Sequence, residues 1–119
     1  RLPKDLYKGG LAISGIYDLE PIRLSYLNDD IRLSADEVQR VSPIHHLPAR
    51  SAPLIVTVGA EELPELRRQS ADYWAAWATQ GLTGAMVSMK GEHHFSIVED
   101  FARPEGNQTR MLAELAGLL

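Results

Sequence analysis

The stretch from Pro53 to Gly59 limits the possible folds more than any other part of the sequence. It reads P-L-I-V-T-V-G, so a strand over residues 54–58 would be largely apolar on both faces. Strands that are apolar on both faces are typical of parallel sheets covered by helices on each side. We therefore expect residues 54–58 to form a parallel strand between layers of helices.

Shorter apolar runs predict two further strands, at residues 11–14 and 85–89, and the second also looks buried. The predicted helices are a short stretch within 19–27 followed by a loop at 28–30, then 34–42, 64–81, 95–101 and about 107–119. Strands that alternate with helices pair in parallel through right-handed crossovers. The sequence therefore predicts one α/β domain with a three-stranded parallel βαβαβ segment and flanking helices.

Local signals set several of these boundaries. Ser34 and Glu37 have the S-x-x-E spacing of a capping box, which begins a helix, and Pro43 ends that helix near Ser42. In the long helix, Trp74 and Trp77 follow near-helical spacing, and we interpret them as core residues rather than ligand contacts.

Composition excludes several classes of function. The 119 residues are 45% hydrophobic and 24% charged, which suits one globular domain with a core. With 12 Lys and Arg against 16 Asp and Glu, the net charge is -4, so we expect no nucleic-acid partner. No apolar run approaches the roughly 20 residues that cross a bilayer, so we expect no membrane partner either. The chain contains no Cys, which fits the cytoplasm as its expected location.

The loops that follow the three predicted strands carry the candidate chemistry. Gly15, Tyr17 and Asp18 follow the first strand. Glu61 and Glu62 follow the second strand, in the acidic loop at residues 59–62, and His93 and His94 follow the third strand, in the histidine loop at residues 91–95. Because parallel strands end at the same edge of a sheet, the acidic loop and the histidine loop should be neighbours. A carboxylate beside an imidazole can orient the ring and help it to activate a hydroxyl nucleophile. The alternative is that these are solvated loop residues without a catalytic role.

Five segments are more distinctive: S-G-I-Y-D-L-E-P at 14–21, S-P at 42–43, V-G-A-E-E at 58–62, R-Q-S at 68–70 and G-E-H-H-F-S-I at 91–97. Together they resemble the C-terminal part of α/β-hydrolases of the kynurenine formamidase and esterase/lipase type. The resemblance covers nearly the whole chain. It implies the C-terminal portion of an α/β-hydrolase fold, with the nucleophilic serine, the acid and the histidine in that chain order.

The resemblance also assigns roles to individual residues. The acid falls on Glu62, three positions after Gly59, with Glu61 as the alternative. The base falls on His94, directly before the phenylalanine, with His93 as the alternative that we expect to face solvent.

The nucleophile is missing from this pattern. Neither a G-x-S-x-G elbow nor an H-G-G oxyanion loop occurs in the sequence. Ser14 lies at a strand end, but the resemblance places it on the strand after the nucleophile's strand, so it is only a minor alternative. We therefore expect residues 1–119 to be a C-terminal fragment of a hydrolase domain, inactive alone and without the nucleophile-bearing N-terminal part.

The expected partners follow from this reading. The first strand would expose an apolar edge, so we expect the chain to bind the missing N-terminal half or to self-associate. The resemblance implies a small ester or aryl formamide as substrate and favours N-formylkynurenine. The alternative function is a noncatalytic α/β module for binding or assembly.

Other polar residues are given structural roles. His45 and His46 lack the spacing of a zinc site, and no nucleotide-binding motif occurs, so we expect neither metal nor cofactor. Asp18 is expected to cap a helix, and Tyr17 to pack in the core rather than to line a pocket.

Overall fold

Three parallel strands form the sheet of this protein in a computed structural model, which describes Pro3 and residues 5–119. The strands are β1 (Gly10–Ile13), β2 (Leu54–Gly59) and β3 (Gly84–Met89), and β2 lies in the centre. In the register of the sheet, Leu11 lies opposite Ile55, which in turn lies opposite Ala85. The predicted three-stranded parallel sheet is confirmed.

Helices precede and follow β2 and β3 along the chain. In the described residues they are α1 (Glu20–Arg23), α2 (Asn28–Ile31), α3 (Ala35–Val41), α4 (Pro64–Thr79), α5 (Ser96–Ala102) and α6 (Asn107–Leu115), with a 3₁₀ turn at Pro43–His45. Within Pro3 and residues 5–119, no helix combines the length and the apolar character that a membrane span requires.

The two faces of β2 pack against different helices. Val56 lies in a buried cluster with Tyr73 and Trp77 of α4. The hydroxyl of Thr57 instead donates a hydrogen bond of 2.7 Å to the side chain of Gln108, which lies on α6. Because neighbouring residues of a strand point to opposite faces, α4 and α6 cover opposite faces of β2, as the sequence predicts.

Aromatic packing fills the α4 face of the sheet. Tyr17 is buried and stacks on Tyr73 with ring centroids 4.1 Å apart, which confirms its expected packing role. Trp77 is buried too, and its indole N–H donates to the carbonyl of Thr83 at 3.0 Å. Trp74 is half-buried against the same cluster, so both tryptophans belong to the core.

The capping box at the start of α3 is present as predicted. The Ser34 hydroxyl accepts a hydrogen bond from the amide of Glu37, and the Glu37 carboxylate accepts one from the amide of Ser34. The helix ends at Val41, shortly before Pro43.

The predicted loop at 28–30 is wrong, because these residues form most of α2. The polar side chain of Asn28 is one of the groups that favour a loop in the sequence. In the structure it accepts a hydrogen bond from the Leu33 amide at 2.7 Å and donates one to the Leu33 carbonyl at 3.2 Å. Arg32 closes the helix in a left-handed conformation with φ of 60°. The polar side chain therefore stabilises a short helix here.

Two other predictions need correction. The strand β3 is not buried along its length, because it lies at an edge of the sheet and leaves Gly84, Ala85 and Ser88 exposed. The last helix ends at Leu115 rather than Leu119, since Gly117 takes a φ of 69° that ends the helical geometry.

Gln69 of α4 fixes the loop that follows β1. Its side-chain oxygen accepts hydrogen bonds from the amides of Tyr17 at 2.7 Å and Asp18 at 2.9 Å. Its side-chain nitrogen donates to the Asp18 carbonyl at 3.0 Å. Gln69 is only 2% exposed, so water is poorly placed to replace these bonds.

Replacing Gln69 should therefore destabilise the fold. We expect Gln69→Met to lower the free energy of unfolding by about 2–4 kcal/mol, because two amides in this loop lose their acceptor. The control is Arg68→Met, which removes only exposed ion pairs on the same helix and should cost much less. Urea denaturation measures both, and equal losses would contradict the role given to Gln69.

Candidate active site

The loops after β2 and β3 are joined through their backbones. The amide of Ala60 donates to the carbonyl of Met89 at 2.9 Å, and the amide of Glu61 donates to the carbonyl of Glu92 at 3.0 Å. A β-carbon at Gly59 would collide with that carbonyl oxygen of Glu92. Glycine is therefore needed at the end of β2 for the two loops to approach this closely.

This approach brings Glu62 and His94 into contact. The Nδ1 atom of the His94 ring lies 2.9 Å from Oε2 of the Glu62 carboxylate. The Glu62 side chain is fully buried, whereas 52% of the His94 side chain is exposed. The carboxylate can thus orient the imidazole through Nδ1 and leave Nε2 available to exchange a proton.

The other oxygen of the carboxylate is also engaged. Oε1 of Glu62 accepts a hydrogen bond from the amide of Gly59 at 2.9 Å and another from the hydroxyl of Ser14. Burial raises the pKa of the Glu62 carboxyl, but hydrogen bonds from Ser14, Gly59 and His94 outweigh it and leave the pKa below its ordinary value. The site therefore favours a carboxylate anion beside His94.

The alternative acid and base lie elsewhere. Glu61 is exposed and contributes its backbone amide to the junction of the loops. His93 is exposed too, and its Nδ1 accepts hydrogen bonds from the amides of Phe95 at 3.2 Å and Ser96 at 3.3 Å at the start of α5. Of the four residues considered from the sequence, the structure pairs Glu62 with His94.

The remaining polar candidates have local contacts. The Asp18 carboxylate accepts a hydrogen bond of 2.9 Å from the Glu20 amide, but the N-cap position of α1 is occupied by Leu19 rather than by Asp18. His45 and His46 are exposed, and Nε2 of His46 lies 2.9 Å from the carbonyl of Gln39. In the described part of the chain, no three His, Asp or Glu side chains are grouped in a way that could hold a metal ion.

The bond between Ser14 and Glu62 was missed by the reasoning from sequence. The strand register of the folded sheet explains the contact, because Ile13 lies opposite Thr57 and the next residues, Ser14 and Val58, are therefore level. A serine at that position ends close to Gly59, where the carboxylate is held.

The fold and this pair of side chains together define a fold class. Three parallel strands with flanking helices, an acid after the middle strand and a histidine after the last one are the arrangement expected of the C-terminal portion of an α/β-hydrolase fold. The predicted fold class is confirmed by the comparisons that follow.

Comparison with known sequences makes the resemblance more particular. No protein-family model matches the chain. The chain is 31% identical to the kynurenine formamidase of Salmo salar over 116 residues and 31% identical to that of Danio rerio over 115 residues. Each match covers 92% of this chain but only 40% and 39% of the two relatives. The resemblance to α/β-hydrolases of the kynurenine formamidase and esterase type is thereby confirmed.

Comparison with solved structures gives the same fold. A candidate thioesterase from Silicibacter sp. superposes with a TM-score of 0.77 and 26% identity, over 86% of this chain and 37% of that one. Esterase 2 of Thermogutta terrifontis, in a structure phosphoramylated by tabun, gives a TM-score of 0.60 with 20% identity, over 92% of this chain and 39% of that one. The esterase likeness shows the shared fold alone.

The Glu62 site should make stability depend on pH. Because the folded protein holds the pKa of Glu62 below its ordinary value of 4.5, the carboxylate stabilises the fold above that value. This stabilisation is lost as the pH falls through the lowered pKa. We expect the protein to be more stable than Glu62→Gln near pH 7, with a difference that shrinks in acid.

Denaturation of both proteins between pH 7 and pH 3 measures this difference in the free energy of unfolding. The other carboxylates are common to both proteins, so their contributions cancel. The control is Glu61→Gln, which should differ little from the unmodified protein at any pH because Glu61 is exposed. A difference for Glu62→Gln that stays constant over this range would contradict the assignment.

Proposed function

We propose that this chain supplies the acid and the base of a serine hydrolase that cleaves small carboxylic esters or aryl formamides. The observation that carries the proposal is the 2.9 Å contact between buried Glu62 and accessible His94. N-formylkynurenine is the favoured substrate, supported by the identity to two kynurenine formamidases. The esterases and the candidate thioesterase among the structural neighbours fit the broader hydrolase class.

In the proposed mechanism, a serine hydroxyl attacks the carbonyl carbon of the substrate while Nε2 of His94 accepts the hydroxyl proton. Glu62 holds the Nδ1–H and stabilises the imidazolium that forms. When the tetrahedral intermediate collapses, the C–O or C–N bond breaks and His94 gives its proton to the departing alcohol or amine. Water then attacks the acyl carbon while His94 again accepts a proton. The bond between the acyl carbon and the serine oxygen breaks, His94 returns its proton to that oxygen, and the carboxylic acid product leaves.

In this proposal, the nucleophilic serine lies outside residues 1–119. The chain spans about 40% of the length of the curated relatives it matches. In the described residues, β1 pairs with β2 alone, so its other edge is open to a further strand. We propose that residues 1–119 form the C-terminal portion of a hydrolase domain and that the nucleophile-bearing portion pairs along this edge of β1.

Without that portion, we expect the chain to lack hydrolase activity. We also expect it to associate with itself through the same edge, since an open strand edge is a template for pairing. We keep the cytoplasm as the proposed location, because a chain without Cys needs no oxidising compartment.

Substitution of the paired residues tests the function in the intact protein. We expect His94→Ala to lower kcat for ester or formamide hydrolysis by at least about 100-fold, the usual contribution of a general base. Glu62→Gln should also lower kcat strongly, because a neutral amide stabilises the imidazolium less well than a carboxylate.

The chain offers a matched control for each change. His93→Ala and Glu61→Gln remove the same groups at neighbouring positions and should keep kcat near that of the unmodified protein. A panel of N-formylkynurenine and small aryl esters measures all four variants and ranks the substrates. Near-normal hydrolysis by His94→Ala in the intact protein would show that His94 is not the base. If the intact protein without substitutions hydrolysed no substrate, the noncatalytic module would be favoured instead.

A further inference from the structure

Ser14 contacts the buried acid from the side opposite His94. It is the residue directly after β1, it is only 8% exposed, and its hydroxyl donates a hydrogen bond to Oε1 of Glu62. The two residues lie 48 positions apart in the sequence. This buried contact therefore joins the end of the first strand to the acid that follows the second.

The backbone of Ser14 is held in an unusual conformation. Its φ of 48° is in the left-handed region, which residues with a β-carbon other than Asn and Asp seldom occupy. Its amide donates to the carbonyl of Thr57 at 2.8 Å, and the following loop is fixed by Gln69 through the amides of Tyr17 and Asp18. The hydroxyl is thus presented to Glu62 from a fixed backbone.

The contacts of Glu62 divide between its two oxygens. Oε1 receives Ser14 and the amide of Gly59, and Oε2 faces Nδ1 of His94. Two donors on Oε1 fix the rotation of the carboxylate and keep Oε2 directed at the imidazole. The Ser14 proton is directed at the carboxylate rather than at His94, a poor arrangement for a nucleophile activated by that histidine.

We propose that Ser14 is a positioning residue, whose hydroxyl holds the Glu62 carboxylate in the orientation that supports His94. Its importance for hydrolysis rests on the proposed function, whereas its effect on the Glu62 and His94 pair does not.

The test is an NMR titration of the Glu62 side-chain carboxyl in the protein, compared with Ser14→Ala and Ser14→Gly. Both variants lose the hydroxyl, but glycine adopts positive φ without strain, so Ser14→Gly also guards against a failure to fold. We expect the Glu62 titration midpoint to rise by about one pH unit in both variants, because the anion loses one of its donors.

The control is Thr57→Val. It removes another buried hydroxyl, from the neighbouring strand β2, whose bond goes to Gln108 rather than to Glu62. This variant should be less stable but should leave the Glu62 midpoint unchanged. An unchanged midpoint in both Ser14 variants, or a rise in Ser14→Ala alone, would overturn the proposal, since the second result would assign the effect to the backbone.

Hydrolysis separates this proposal from the proposed function. If the intact protein hydrolyses esters or formamides, Ser14→Ala should lower kcat while changing KM little. If the titration midpoint rises but no substrate is hydrolysed, the positioning role stands and the hydrolase function fails. If hydrolysis is found but neither the midpoint nor kcat responds to loss of the hydroxyl, the hydrolase function stands and the positioning role fails.

Discussion

The rest of the site depends on keeping a negatively charged carboxylate at Glu62 out of water. Burial of an anion is costly unless donors replace the lost hydration. Here the donors come from the ends of all three strands: Ser14 after β1, the amide of Gly59 at the end of β2, and His94 in the loop after β3. The carboxylate is therefore stabilised only when the three strands are assembled in their native register.

The local structure around these donors makes that geometry rigid. Gly59 allows the carbonyl of Glu92 to approach β2, which brings the histidine loop against the acidic loop. Gln69 of α4 holds the loop that begins with Ser14, through hydrogen bonds from two of its amides. Because each contact uses the backbone of a loop, the orientation of His94 depends on the fold of the sheet rather than on the histidine loop alone.

Patterns within the sequence predict the fold better than the site. The apolar faces of 54–58 and the spacing of Ser34 and Glu37 are local, and both predictions are confirmed. Spacing alone does not distinguish Glu61 from Glu62 as the acid, because the burial of Glu62 depends on the junction between the loops after β2 and β3. Only the family resemblance favours Glu62. The bond to Ser14 spans 48 positions, and the exposure of β3 depends on its place at the edge, so neither follows from a local pattern.

In the proposed site, Glu62 orients His94 through Nδ1, and the ring-nitrogen chemical shifts of His94 test that role. In the protein near neutral pH, ¹⁵N NMR distinguishes the two neutral tautomers of the imidazole. We expect the tautomer protonated at Nδ1, with that proton directed at Glu62 and Nε2 ready to accept another. A neutral ring protonated at Nε2 would contradict it, because Nδ1 would then have no proton to donate to the carboxylate.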